Sequence, residues 1–163
     1  MIANLAITGL EKLKAILLAG ANTELANISG RDRTYWKPFV EGAVLVENVP
    51  ADVADENRST VYPAAYLYTA RMENSLRQKF AGFSGTIKLV AEIRCSGERY
   101  AGLERELASY VEAVATALGS NTGSWGAGLL YDGGYTVKFE AAKPGGRNFI
   151  QTAKVELDVE ACG

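Results

Sequence analysis

The sequence contains no histidine. Without imidazole there can be no Ser-His-Asp or Cys-His nucleophile arrangement, and no side chain with an unperturbed charge change near neutral pH. Catalysis would have to rest on carboxylates, lysine or tyrosine. Glu104 and Glu106 stand two apart in a helical stretch, where they do not face each other, so they read as a solvated face. Cysteine is scarce as well. Cys95 and Cys162 carry no Cys-x-x-Cys pattern, and with histidine absent a four-ligand zinc site is nearly excluded. Cys95 falls on the apolar side of a predicted strand and reads as a small core residue, while Cys162 reads as exposed.

A strong excess of charge of either sign is missing too. The formal net charge of −2 gives no electrostatic case for wrapping a nucleic acid. The basic pairs Arg31 with Arg33 and Arg77 with Lys79 are short enough to be ordinary solvated surface. No apolar run reaches membrane-spanning length. The run Ala15 to Ala19 behind Lys12 and Lys14 is too short for a secretory signal. Asn27-Ile28-Ser29 and Asn57-Arg58-Ser59 therefore read as chance glycosylation matches, and a cytoplasmic chain is expected. The loop carboxylates Asp52, Asp55 and Glu56 lack the alternating ligands and turn glycine of a calcium loop. Gly123-x-x-Gly126-x-Gly128 has the wrong spacing for a dinucleotide fingerprint, so neither cofactor nor metal is expected.

What is present is the composition of an ordinary globule. With 48% apolar and 22% charged residues, a 163-residue chain can bury a core without disulfides or metals. Leu10, Leu13 and Leu17 recur at helical spacing over Asn4–Ala19, and Gly20 reads as the stop. Residues 22–60 read as an irregular segment, with one short strand at Ala43–Val49 and a loop over Ala51–Thr60.

Strand signals follow at Ala64–Met72 and Thr86–Cys95, joined through Glu73–Gly85 with Gly82 and Gly85 as turn residues. In Thr86–Cys95 the alternation puts Ile87, Leu89, Ala91, Ile93 and Cys95 inward, with Lys88, Glu92 and Arg94 outward. Tyr100–Leu118 is the strongest helix, with its stripe at Leu103, Leu107, Val111, Val114 and Leu118 and with Gly119 as C-cap. A glycine-rich loop over Gly119–Gly128 precedes strands at Leu129–Tyr131, Tyr135–Ala142 and Phe149–Glu160. Asp132-Gly133-Gly134 and Pro144-Gly145-Gly146 serve as the intervening turns. No repeat or linker divides residues 1–163. The expected fold is a single α+β domain, a mostly antiparallel sheet packed against an N-terminal helix and a long central helix.

Aromatic residues give the one hint of a partner. Tyr35, Trp36 and Phe39 cluster in the irregular segment, and Tyr62, Tyr66 and Tyr68 lie before and along a strand. Either they fill the core or they form a protein interface, where Tyr, Trp and Arg are enriched. Arg77, Lys79 and Phe80, on the next connection, join the interface candidates.

Several phrases resemble the tail-terminator (tail-completion, head-tail joining) proteins of long-tailed bacteriophages. They are Tyr62-Pro63-Ala64-Ala65-Tyr66-Leu67-Tyr68, then Phe83-Ser84-Gly85 leading into the strand Thr86–Cys95. The helix Leu103–Leu118 follows, with Glu104, Tyr110 and Val111 in its body. Tyr131-Asp132-Gly133-Gly134-Tyr135-Thr136-Val137-Lys138-Phe139 and Lys143-Pro144-Gly145-Gly146-Arg147-Asn148-Phe149 complete the set. The resemblance spans roughly Val61 to Val159, with the N-terminal helix matching in kind, and leaves 22–60 uncovered. It implies a structural virion protein, assembled in the host cytoplasm as a homohexameric ring on the last ring of tail-tube subunits. The ring stops tube growth and joins the tail to the head-side connector. The implied partners are further copies of the chain, the tail tube protein, the connector, the sheath where the tail is contractile, and DNA only in transit. Another neck or head-closure subunit would share much of the pattern. A small enzyme using carboxylates or tyrosine, and a ligand-binding module, are the alternatives from other classes.

Overall fold

The computed structural model describes residues 2–56 and 60–163. Helix α1 (Ile2–Ala15) lays Leu10 and Leu13 on the sheet, and Leu17 continues the same buried stripe. Gly20 does not end the helix. The chain passes through a π-helical turn, Ile16–Ala21, into α2 (Asn22–Asp32), which closes where Arg33 turns left-handed at φ 52°. A Cβ at Gly20 would stand 3.0 Å from the Cβ of Ala117. The glycine that reads as a stop is instead the point where two helices touch, and π turns often mark such local adjustments.

The irregular segment is therefore shorter than expected. Asn22 holds its first part down: its amide donates to Phe39 O at 2.8 Å, and its Oδ1 accepts from Phe39 N–H at 2.8 Å. The predicted strand Ala43–Val49 shrinks to β1 (Val44–Leu45), behind a 3-10 turn at Glu41–Ala43. The predicted loop Ala51–Thr60 contains a short helix, α3 (Ala51–Glu56). The side chains of Asp52, Asp55 and Glu56 lie outside the described residues, as does most of the tripeptide Asn57-Arg58-Ser59.

The remaining elements are β2 (Ala64–Glu73), β3 (Ser84–Gly97), α4 (Leu103–Gly119), β4 (Gly123–Gly126), β5 (Leu129–Phe139), β6 (Lys143–Gly145) and β7 (Asn148–Cys162). Among the described residues the seven strands form one sheet in the order β1-β2-β3-β7-β5-β4, with β6 beside β7. Only the β1–β2 pair is parallel. The fold is thus the expected mixed α+β arrangement. One face of the sheet carries the helices, and the inward rows Ile87, Leu89, Ala91, Ile93 of β3 and Ala153, Val155, Leu157, Val159 of β7 meet Leu107, Tyr110, Val114 and Leu118 of α4. Cys95 is buried in the same row, and Cys162 is exposed.

Four glycine signals do not act as their pattern predicts. Gly85 lies inside β3, where a Cβ would fall 1.8 Å from Glu73 O, so backbone proximity across the hairpin and not chain reversal requires glycine. Asp132-Gly133-Gly134 does not separate two strands. It is a bulge within β5, where the register against β7 shifts between Tyr131 and Tyr135. Pro144 and Gly145 belong to β6, and the reversal falls on Gly146 at φ 71° and Arg147. Part of the predicted glycine-rich loop is β4, and Gly119 ends α4 without a left-handed cap, since Ser120 follows at φ −82°.

Candidate assembly surface

The structure divides the nine candidate interface residues. Phe39 and Tyr66 are buried, and Trp36 packs on the core. Phe39 and Trp36 both meet Tyr110 edge-on, with ring centroids 5.4 and 6.4 Å apart. Tyr110 donates its hydroxyl proton to Lys37 O at 2.7 Å, and burial drives its pKa upward. These aromatics anchor the 33–40 stretch to α4 and are not free to meet a partner. Tyr62 and Tyr68 are half-buried. Tyr35 is 80% exposed.

Glu92 and Arg94, expected to point outward into water, are buried on the second face of the sheet. The stretch from β1 to α3 crosses that face and covers them. Arg94 is 1% exposed and donates from Nη2 to Val49 O at 2.6 Å and to Glu92 Oε1 at 2.7 Å. Its guanidinium lies 4.0 Å from the centroid of Tyr66, a cation–π stack. Tyr68 donates to Glu92 Oε2 at 3.2 Å, and desolvation first, then the Glu92 charge, raises the phenol's pKa. Beside this pair Asn48, Tyr68, Glu140, Lys143, Thr152 and Lys154 line a polar cleft of about 280 Å³, with Lys154 bound to Glu140 at 3.2 Å. The charges of the cleft answer one another within the chain. Among the described residues no group of three or more His, Cys, Asp or Glu gathers to hold a metal ion.

Arg77, Lys79 and Phe80 lie near one another at the tip of the β2–β3 hairpin. All three are exposed, Phe80 to 96%, with Leu76 exposed beside it. Lys79 Nζ sits 5.3 Å from the Phe80 ring centroid. Arg77 and Phe80 have positive φ, 46° and 72°, a region that non-glycine residues enter at a cost. The hairpin base is held by Ser84 N–H donating to Asn74 Oδ1 at 3.0 Å and by paired backbone bonds between Phe83 and Gly163.

The margins of the sheet are the surface that sequence reading missed. On its outer side β1 pairs with β2 only at Ala65 and Tyr66; Leu67 beyond them is fully buried, and among the described residues β2 is an open edge from Tyr68 to Glu73. At the other end β4 pairs with Leu129–Tyr131, which among the described residues leaves β5 open from Asp132 to Phe139. Tyr135, Val137 and Phe139 of that edge share the helix-bearing face, yet Tyr135 and Phe139 remain 46% and 45% exposed. Their alternation is visible in the sequence. That the helices stop short of them is not.

Among the described residues no helix is long and apolar enough to cross a membrane. No family model matches the chain, and no match was found among the curated proteins.

Proposed function

We propose that the chain is a structural assembly subunit, a phage tail terminator. Its copies form a ring at the head-proximal end of the tail tube, stop tube polymerisation and join the tail to the head-side connector. The observation that supports this reading is the sheet with an open edge at each side. Open edges present unpaired backbone donors and acceptors, and soluble domains ordinarily blunt or cover them. Here each edge borders exposed apolar side chains: Tyr135 and Phe139 at one, Leu76 and Phe80 of the hairpin tip at the end of the other. Apolar surface grouped at a margin in this way marks a site for a protein partner.

The chemistry of each end fits a different role. The edges suit subunit-to-subunit pairing, because a sheet continues from one copy to the next without new backbone geometry. The hairpin tip, with its arginine, lysine and phenylalanine, suits insertion into an acidic-rimmed apolar recess of a neighbouring protein of the tail.

The test is to add the purified protein to polymerising tail tube protein and measure tube lengths by electron microscopy. Shortened tubes bearing a density at one end support the role. Tubes whose lengths and ends do not change overturn it.

A further inference from the structure

The two open edges run in opposite directions. β2 is antiparallel to β3, β3 to β7, and β7 to β5, so β2 and β5 are antiparallel to each other. A second copy placed edge to edge with its sheet continuing the first would therefore extend an antiparallel ladder. Side chains select the register. On the face away from the helices, β2 presents Arg71 and Glu73, which pair with Lys88 and Thr86; on the helix-bearing face it presents Met72, paired with Ile87. Near the end of β5, Lys138 lies on the outer face and Phe139 on the helix-bearing face, and Glu140 follows.

We infer that β5 of one copy pairs with β2 of the next, with Lys138 opposite Glu73, Phe139 opposite Met72 and Glu140 opposite Arg71. This inference rests on the proposed assembly role and specifies its subunit contact. In this register both charged pairs are of opposite sign and the apolar pair shares one face. A slip by one residue would put charges on the apolar side. A slip by two that sets Lys138 against Arg71 makes like charges face each other, which is unfavourable in cross-strand pairs. The internal partners of these charges do not oppose the exchange. Arg71–Glu73 at 3.4 Å, Lys138–Glu156 at 3.0 Å and Lys154–Glu140 at 3.2 Å are ion pairs in which Arg71, Glu73, Lys138 and Glu140 are themselves exposed, and such pairs hold weakly.

The register also shapes the assembly. Met72 is level with Val159 through Ile87, and Phe139 is level with Ala153, so neighbouring copies are offset by six residues along β7. At ~3.3 Å per residue that is a stagger of about 20 Å. Closed sheets need such a stagger, with strands tilted to the axis. The contact is head-to-tail, so it closes as a ring only if the rotation per copy divides a full turn.

Two sets of variants test the pairing. Lys138→Glu and Glu73→Lys should each weaken association roughly five- to tenfold per contact, and the double variant should restore it, because the pair then has opposite signs again. Both residues are exposed and their internal pairs weak, so melts taken at dilutions where the parent is monomeric should stay within a few degrees of it. Independently, Met72→Cys with Phe139→Cys, in a Cys162→Ser background, should give disulfide-linked multimers on mild oxidation. Met72→Cys with Thr136→Cys should not. Assemblies that ignore the charge swap and fail to cross-link overturn the edge pairing and leave the ring reading standing. Assemblies that obey the swap but never cap tubes overturn the tail role and leave the pairing.

Discussion

Removing Arg94 should damage the fold far more than its strand position suggests. The guanidinium is buried, neutralises Glu92, satisfies Val49 O and stacks on Tyr66. In Arg94→Met the methionine replaces packing but leaves a buried carboxylate without its paired charge, with Tyr68 still donating to it. Breaking a buried pair from one side costs about 3–5 kcal/mol. That is a large part of the 5–15 kcal/mol that typically holds a domain. At about 2–4 °C per kcal/mol for a chain of this size, the melting temperature should fall by about 6–20 °C. Two comparisons isolate the cause. Arg71→Met removes an exposed pair to Glu73 and should cost at most ~1 kcal/mol. The double change Arg94→Met with Glu92→Leu removes both charges and should recover most of the loss. Urea unfolding followed by circular dichroism gives all three values. Amide exchange at residues 45–54 should quicken in Arg94→Met, because Val49 loses the bond that pins its segment to the sheet. If Arg94→Met costs no more than Arg71→Met, the buried pair is not holding that segment.

Three other expectations follow from the interior. Leu107→Ala should cost about 2–5 kcal/mol in the same unfolding assay, since the side chain is fully buried between α4 and the sheet; a loss near zero would place that stripe outside the core. Burial raises the pKa of Glu106 above its ordinary 4.5, so the native state holds its proton more tightly than the unfolded chain and stability falls as pH rises through that range. Glu106→Gln should therefore be more stable than the parent at pH 7, and the advantage should shrink toward pH 4; an advantage that grows on acidification would reverse the sign. A maleimide should label Cys162 in the native protein and reach Cys95 only in denaturant, because desolvation raises the pKa of the Cys95 thiol and the core covers it. Equal labelling of both would contradict the packing.

Periodicity made much of this fold legible. The stripes Leu10-Leu13-Leu17 and Leu103-Leu107-Val111-Val114-Leu118 and the inward row Ile87 to Cys95 are where the pattern places them, because one buried face is a local property of a helix or strand. The misreadings have a common cause: tertiary neighbours that local patterns do not contain. Gly20 reads as a stop until Ala117 is known to lie against it, and Gly85 as a turn until the carbonyl of Glu73 is seen. Arg94 and Glu92 alternate as a wet face should, but the β1–α3 stretch lies across them. On the candidate surface, the hairpin tip was legible from Arg77, Lys79 and Phe80. Phe39 and Tyr66 were not distinguishable from interface aromatics, since both settings favour large rings. The open edges were invisible because strand order is not written in any single strand.

The most direct measurement is the particle itself: mass by light scattering and shape by negative-stain imaging, alone and with tail tube protein. A tail terminator should form closed rings of several copies that sit on tube ends. A monomer at all concentrations that leaves tubes bare would contradict that role, and with it the reading of the open edges as subunit contacts.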